Sequence, residues 1–290
     1  MSQNNNKKKK LIILLSIVAL GIGTLTAVHI INGFTHITTD DAYIEGRIHN
    51  IAPKVSGTVK SVNVEDNQGV KKGDILVEID PVDYELKVNE AQANLDIRKA
   101  SFTQASRDKD RAEALYKEEV FSKEKHENVL TAYNLAKAQT EAAEAQLKIA
   151  QQNLEYTKIY APSDGYVTSK SVEAGNQLQA GQPLMAVIAL DDIWVVANYK
   201  ETQLKNVKSG QRAQVRVDTY PGKVFNAKVD SIMAGTGAAF SLFPPENALG
   251  NYVKVVQRVP VKIVFDKSAD EGHVLRIGMS CIPTIVTKNE

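Results

Sequence analysis

Residues 129–157, VLTAYNLAKAQTEAAEAQLKIAQQNLEYT, decide how the rest of the chain is read. Val129, Tyr133, Ala136, Thr140, Ala143, Leu147, Ala150, Leu154 and Thr157 follow one another at alternating steps of four and three. That is the seam of an antiparallel coiled coil. Upstream, Tyr84, Val88, Ala91, Leu95, Phe102, Ala105, Ala112 and Tyr116 keep the same steps, with Arg98 and Lys109 as polar interruptions. Between the two tracks, Lys117 to Phe121 breaks the pattern, and Ser122 stands where an N-cap of the second helix belongs. Residues 82–157 are therefore expected to form a helical hairpin. Its arms, at about 1.5 Å per residue, would each run roughly 50 Å. Heptads alone favour an ordinary helical bundle or a dimeric coiled coil.

The flanks separate these readings. Gly57-Thr58-Val59, Val64-Glu65, Val70, Gly73, Leu76 and Ile79 precede the hairpin. Gly165-Tyr166-Val167, Val172-Glu173, Leu178, Gly181, Leu184 and Val187 follow it, at a constant offset of 108 residues (57 to 165, 73 to 181). Each copy is a run of short apolar segments punctuated by glycine turns, too small to bury a face alone, so the copies are expected to pack as two halves.

With Ala52-Pro53 and Ala161-Pro162 before their glycines, the halves resemble those of a biotinyl/lipoyl domain, a flattened β-sandwich. Carrier domains of that family place a lysine after the Val-Glu-x-Asp that ends the first half. Here Val77-Glu78-Ile79-Asp80 runs into Pro81 and the hairpin, so the resemblance provides no lysine for a cofactor. It also argues against a carrier subunit of an enzyme. A lipoyl domain split by a helical hairpin resembles the HlyD family of membrane fusion proteins, or periplasmic adaptors.

Across the 290 residues, 35 basic side chains balance 34 acidic ones, which gives no sign of nucleic-acid binding, and a single cysteine rules out an internal disulfide. Lys7 to Lys10 precede the apolar stretch Leu11 to Ile31, long enough to cross a membrane and oriented by its lysines with residues 1–10 in the cytoplasm. Small-x-small cleavage signals do not follow, and an uncleaved single-pass anchor is expected. Thr38-Thr39-Asp40-Asp41-Ala42-Tyr43-Ile44 resembles the Thr-Asp-Asp-Ala-Tyr-Val signature of the EmrA branch of that family. Read from the residues, the two aspartates are turn and strand-start positions, with no third ligand to make a cation site.

Strands are expected at 42–51, 193–199, 212–218, 223–234, 253–265 and 281–287, with a short helix near Glu201 to Val207 and turns at Pro221-Gly222 and Gly278, together a small β-barrel. Trp194 and Tyr199 are expected in its core. Ala234 to Ala248 departs from the strand pattern. Its Gly-x-Gly lacks the lysine and hydroxyl of a phosphate loop. The passage resembles the Gly-Thr-Gly-Ala-x-Phe-Ser-Leu segment of EmrA-type proteins, and Phe240, Leu242 and Phe243 are candidates for contact with drug, pump or membrane. His29, His36, His49, His126 and His273 lack metal-ligand spacing, and Cys281 reads as a small buried residue. With no nucleophile, base and orienter grouped, no enzyme is expected, and no catalytic, cofactor-binding or metal site.

The expected fold class is mixed α and β, elongated and multidomain. It comprises a cytoplasmic tail at 1–10, an anchor at 11–31, a membrane-proximal β-barrel from 38–51 and 192–290, a lipoyl-like sandwich from 52–81 and 158–191, and the hairpin at 82–157. The resemblance implies an adaptor in the inner membrane of a Gram-negative bacterium, its body in the periplasm, arranged as a homo-oligomeric ring. It would link a major facilitator superfamily pump to a TolC-type outer-membrane channel in multidrug efflux. An adaptor of an ATP-driven exporter is the alternative. Arg111, Leu115 and Ser122 match the Arg-x3-Leu-x6-Ser spacing by which such adaptors dock onto their channels, at the expected turn. Read without the resemblance, they are a solvated charge, a seam residue and a cap.

Overall fold

A computed structural model describes residues 36–240, 255–266, 269–270 and 272–287. The tail and apolar stretch expected at 1–31, and Leu242 and Phe243, lie outside the described residues. Among the described residues no helix is long and apolar enough to cross a membrane. In chain order the elements are β1 (His36–Thr38), β2 (Ala42–Ile51), β3 (Gly57–Val62), β4 (Gly69–Val70), β5 (Ile75–Ile79), α1 (Val82–Lys117), α2 (Lys123–Glu155) and β6 (Lys158–Tyr160). After these come β7 (Gly165–Thr168), β8 (Gln177–Leu178), β9 (Met185–Lys200), β10 (Arg212–Val217), β11 (Val224–Ile232), β12 (Arg258–Phe265) and β13 (Cys281–Val286). Two compact units result: Ile48–Ile188, and Met1–Arg47 with Ala189–Glu290.

In the first of these, the duplicated halves close on each other by the same hydrogen bonds taken twice. Gly57 and Thr58 of β3 pair with Leu178 and Gln177 of β8, and 108 residues on, Gly165 and Tyr166 of β7 pair with Val70 and Gly69 of β4. Val59 N–H donates to Asn176 and Val167 N–H to Gln68; Gly73 N–H donates to Ala161 and Gly181 N–H to Pro53. The core repeats too, with Val59, Val64, Val70, Leu76 and Ile79 matched by Val167, Val172, Leu178, Leu184 and Val187, all buried. Neither half covers these side chains by itself, so each is the other's lid.

Close approach is what the two glycines before the valines provide. A Cβ on Gly165 would stand 2.4 Å from the Ile188 carbonyl oxygen, and one on Gly57 2.5 Å from the Ile79 side chain. Only a residue without Cβ fits there.

Strands of the other unit run in the order β1, β13, β10, β11, β12, β9, all antiparallel. β2 pairs with β9 and is bridged from Tyr43 to Ser280, ahead of β13, which brings the row round on itself. Ile44, Val195, Ala197, Tyr199, Val215, Phe225, Ile263, Leu275 and Ile285 fill the interior. The Tyr199 hydroxyl is satisfied there, donating to the Pro283 carbonyl at 3.1 Å.

Two expectations need correction. Trp194 is not core: it is half-buried on the outer face, its indole N–H donating to Glu45 at 3.2 Å and its ring covered by the Lys262 ammonium at 4.3 Å. Asp41 is more than a strand-start residue. Its carboxylate is ion-paired with Arg258 and accepts from the Asn198 amide at 3.1 Å, while Thr39 donates to the Asn198 carbonyl at 2.9 Å. The Thr-Asp-Asp segment thus fastens the first strands to β9 and β12.

Candidate functional site

Helices α1 and α2 hold 36 and 33 residues, or about 50 Å each. Residues of α2 that are withdrawn from solvent include every expected seam position from Val129 to Leu154, and on α1 the same holds from Tyr84 to Ala112. The polar interruptions are absorbed. Lys109 lies over the Tyr133 ring at 5.1 Å and pairs with Glu113 at 3.3 Å, a bond that raises its pKa. Thr140 donates to the Arg98 carbonyl at 3.3 Å, and Arg98 donates to Gln139 across the arms at 3.4 Å. Phe102 and Tyr133 rings meet at 5.3 Å.

At the base, the hairpin leaves the sandwich through Asp80-Pro81, where Asp80 accepts from the Val82 N–H at 3.2 Å. The Tyr84 hydroxyl donates to the Ser56 carbonyl at 2.7 Å, and the Lys54 ammonium lies 4.4 Å from the centre of the Tyr156 ring. No lysine stands at this turn.

The tip closes by a Schellman motif. Glu119 N–H donates to the Tyr116 carbonyl at 3.1 Å and Val120 N–H to the Leu115 carbonyl at 3.0 Å. The left-handed residue is Glu119, at φ +60°, where helices usually place glycine. Ser122 opens α2 with extended backbone, and its hydroxyl accepts from the Lys125 N–H at 3.4 Å. Arg111 and Leu115 project one turn apart on α1, off the seam, Leu115 being 39% exposed. Arg111 donates to its own helix, to the Arg107 carbonyl at 3.3 Å and to the Asp108 carboxylate. A guanidinium has five N–H donors, so these two bonds leave others for a partner.

The structure thus brings the three expected docking residues to one tip. Leu115 is not a seam residue. Tyr116, expected on the seam, is also exposed and stacks on His126, with ring centres 4.6 Å apart. Val120, at 71% the most exposed large apolar side chain of the tip, was passed over in sequence because it lies in the break, outside any periodic track. Phe240 ends a short 3-10 turn, Gly237–Phe240. Among the described residues no group of three His, Cys, Asp or Glu side chains is placed to hold a metal ion. Cys281 is buried, and burial followed by the nearby Asp218 charge pushes its thiol up to about 12, which keeps it unreactive.

Comparison with known proteins adds two family matches: residues 47–190 match the RND MFP barrel-sandwich hybrid domain, and residues 192–239 the CusB-like beta-barrel domain. The chain is 39% identical to the fatty acid resistance protein FarA of Neisseria gonorrhoeae, over 83% of this chain and 74% of that protein. It is 34% identical to the multidrug export protein EmrA of Escherichia coli K12, over 87% of this chain and 76% of that protein. Among solved structures, the membrane fusion protein Spr0693 from Streptococcus pneumoniae R6 matches with a TM-score of 0.65, covering 88% of this chain and 99% of that one. At 16% identity that likeness is one of fold.

Proposed function

Because the chain belongs to the EmrA-type membrane fusion proteins, adaptors that are not enzymes, we propose that it joins an inner-membrane major facilitator drug/proton antiporter to a TolC-type outer-membrane channel in multidrug efflux. The observation that carries this reading is the hairpin. A seam unbroken along about 50 Å rises from the turn where a carrier domain would hold its lysine, and ends in an exposed tip. A carrier domain needs a reactive side chain at that turn; an adaptor needs reach.

In this reading Arg111, Leu115 and Ser122 meet the channel. Arg111 supplies charge-assisted hydrogen bonds to carbonyls or carboxylates, and Leu115, with Val120 five residues on and bonded to its carbonyl, supplies apolar contact between channel helices. Copies of the chain form a ring closed by heterologous contacts. The apolar stretch Leu11 to Ile31 holds each copy in the inner membrane, and the Phe240, Leu242 and Phe243 segment contacts the pump, the drug or the lipid. The pump spends the proton gradient while the adaptor assembles and seals the conduit.

The test is capture in cells, with a photo-crosslinking residue placed at Leu115 and a second at Phe240. The expected products are a channel protein from the first and a major facilitator pump from the second or from co-purification. Capture of an ATP-driven exporter in place of the major facilitator pump would overturn the partner assignment.

A further inference from the structure

The barrel unit differs from one end to the other. Antiparallel pairing gathers at one end the start of β1 at His36, the end of β13 at Val286, the start of β10 at Arg212, the end of β11 at Ile232, the start of β12 at Arg258 and the end of β9 at Lys200. Exposed there are Lys205, Lys208 and Arg212, with Lys228 further down at the middle of β11. Arg212 stands directly opposite Lys228 across β10 and β11, where like charges repel. Among the described residues neither Lys205 nor Lys208 is in an ion pair; the acidic side chains nearby are Asp40, beside Lys200 and Arg258, with Glu201 and Asp230, while Asp41 is taken by Arg258 and Asp266 lies lower, in the groove that Lys208 and Arg212 share with Lys228. The same end carries exposed apolar side chains on either side of residues 241–254: Ile232, Met233 (50%), Val255 (60%) and Val256. At the opposite end the turns hold Asp218, Asp266 and Asp270 against Lys223 and Arg276, with Val224 and Tyr43 as exposed large apolar residues.

Where the chain comes in settles what such an end would face. β1 begins at His36, five residues beyond Ile31, which closes the apolar stretch read as a membrane span. Five residues reach at most roughly 18 Å when fully extended. Basic and apolar side chains mixed on one surface are the composition of an interface with anionic lipid.

From this juxtaposition of the incoming chain, the lysines and the exposed Met233 and Val255 we infer that this end of the barrel rests on the anionic phospholipid surface of the inner membrane. The inference rests on Leu11 to Ile31 being the anchor. Lys205, Lys208 and Arg212 meet phosphate headgroups, and the four apolar side chains enter the interface. The contact gives each copy a second hold on the bilayer and sets the barrel upright on it.

The full chain in lipid nanodiscs tests this, with Met233→Cys carrying an environment-sensitive dye and Val224→Cys as the opposite-end control. Cys281 is buried and does not compete for the label. Quenching by headgroup-labelled lipid is expected at Met233→Cys and not at Val224→Cys, and is expected to grow when phosphatidylglycerol replaces part of a zwitterionic lipid. Each of Lys205→Glu and Lys208→Glu should lower the docked population about fivefold or more, without changing the melting of the protein. Equal quenching at both ends, or quenching indifferent to lipid charge and to both reversals, would overturn the inference. So would protection of Met233→Cys that appears only when a pump is in the same disc, since the occupant would then be protein. Release of the full chain from membranes by carbonate would overturn the anchor reading and the inference with it, leaving the adaptor proposal to the crosslinking test.

Discussion

At its base the hairpin is tied down by the Tyr84 hydroxyl on Ser56, by Lys54 over Tyr156 and by a seam of buried Ala91, Leu95, Ala143 and Ala150. At its tip, one glutamate in a left-handed conformation turns the chain, and Leu115, Tyr116 and Val120 lie open to solvent. The base carries side chains that stabilise and the tip carries side chains that are spare. In the proposed reading, stability and recognition are separated by the length of the arms, so that substitutions at one end should be read out in one quantity and not the other.

The largest effect belongs below the base. Gly165→Ala pushes a methyl group against the Ile188 carbonyl, backbone that cannot swing away, and is expected to destabilise the sandwich by about 3 kcal/mol. Gly57→Ala meets the Ile79 Cγ2 methyl, a side-chain atom of a buried β-branched residue that can give only a little, and should cost somewhat less, although the two positions are symmetry mates. Denaturant melts of the two variants check both the size and the order. Leu95→Ala comes next: 3% exposed on the seam, it should lower stability by about 2 kcal/mol and weaken amide protection along the arms in hydrogen exchange. A loss equal to that from truncating exposed Leu115 would abolish the distinction between base and tip.

Smaller effects lie at the tip. Glu119→Gly should stabilise the turn by about 1 kcal/mol, read as slower exchange of the amides of residues 119 and 120, because glycine adopts φ +60° without steric cost. Ser122→Asp keeps an N-cap and should change stability by less than about 0.5 kcal/mol. If the tip meets the channel as proposed, the same variant should reduce drug resistance, because the added charge would face that contact; unchanged resistance would leave Ser122 as a cap alone.

The seam was legible because steps of four and three leave no other face for its residues, and the sandwich because an offset of 108 repeats whole constellations of glycine and valine. The tip turn was not. A Schellman motif normally announces itself with glycine, and here Glu119 fills the place, so the sequence marks only an interruption. Trp194 was misplaced against evidence already present: five residues from Tyr199, an odd number, it must point to the other face of the same strand. The partner of Asp41 could not be read locally at all, since Arg258 lies 217 residues away. His36–Thr38 escaped notice because three residues, only one apolar, carry no periodicity. Among the docking candidates, the positions of Arg111, Leu115 and Ser122 were legible through spacing and the break between helices. The internal bond from Arg111 to Asp108 was not.

One measurement bears most directly on the claim that the tip recognises a channel and does not hold the fold. Arg111→Asp and Leu115→Ser are introduced separately into the full chain in a host lacking its own adaptor. Drug resistance, adaptor abundance and pump co-purification are then compared with the unmodified protein. Both variants are expected to abolish resistance, with abundance and pump binding unchanged, because reversing the charge or removing the apolar side chain affects only what the tip meets. Full resistance from both variants at normal abundance would contradict the account and place the channel contact elsewhere on the chain.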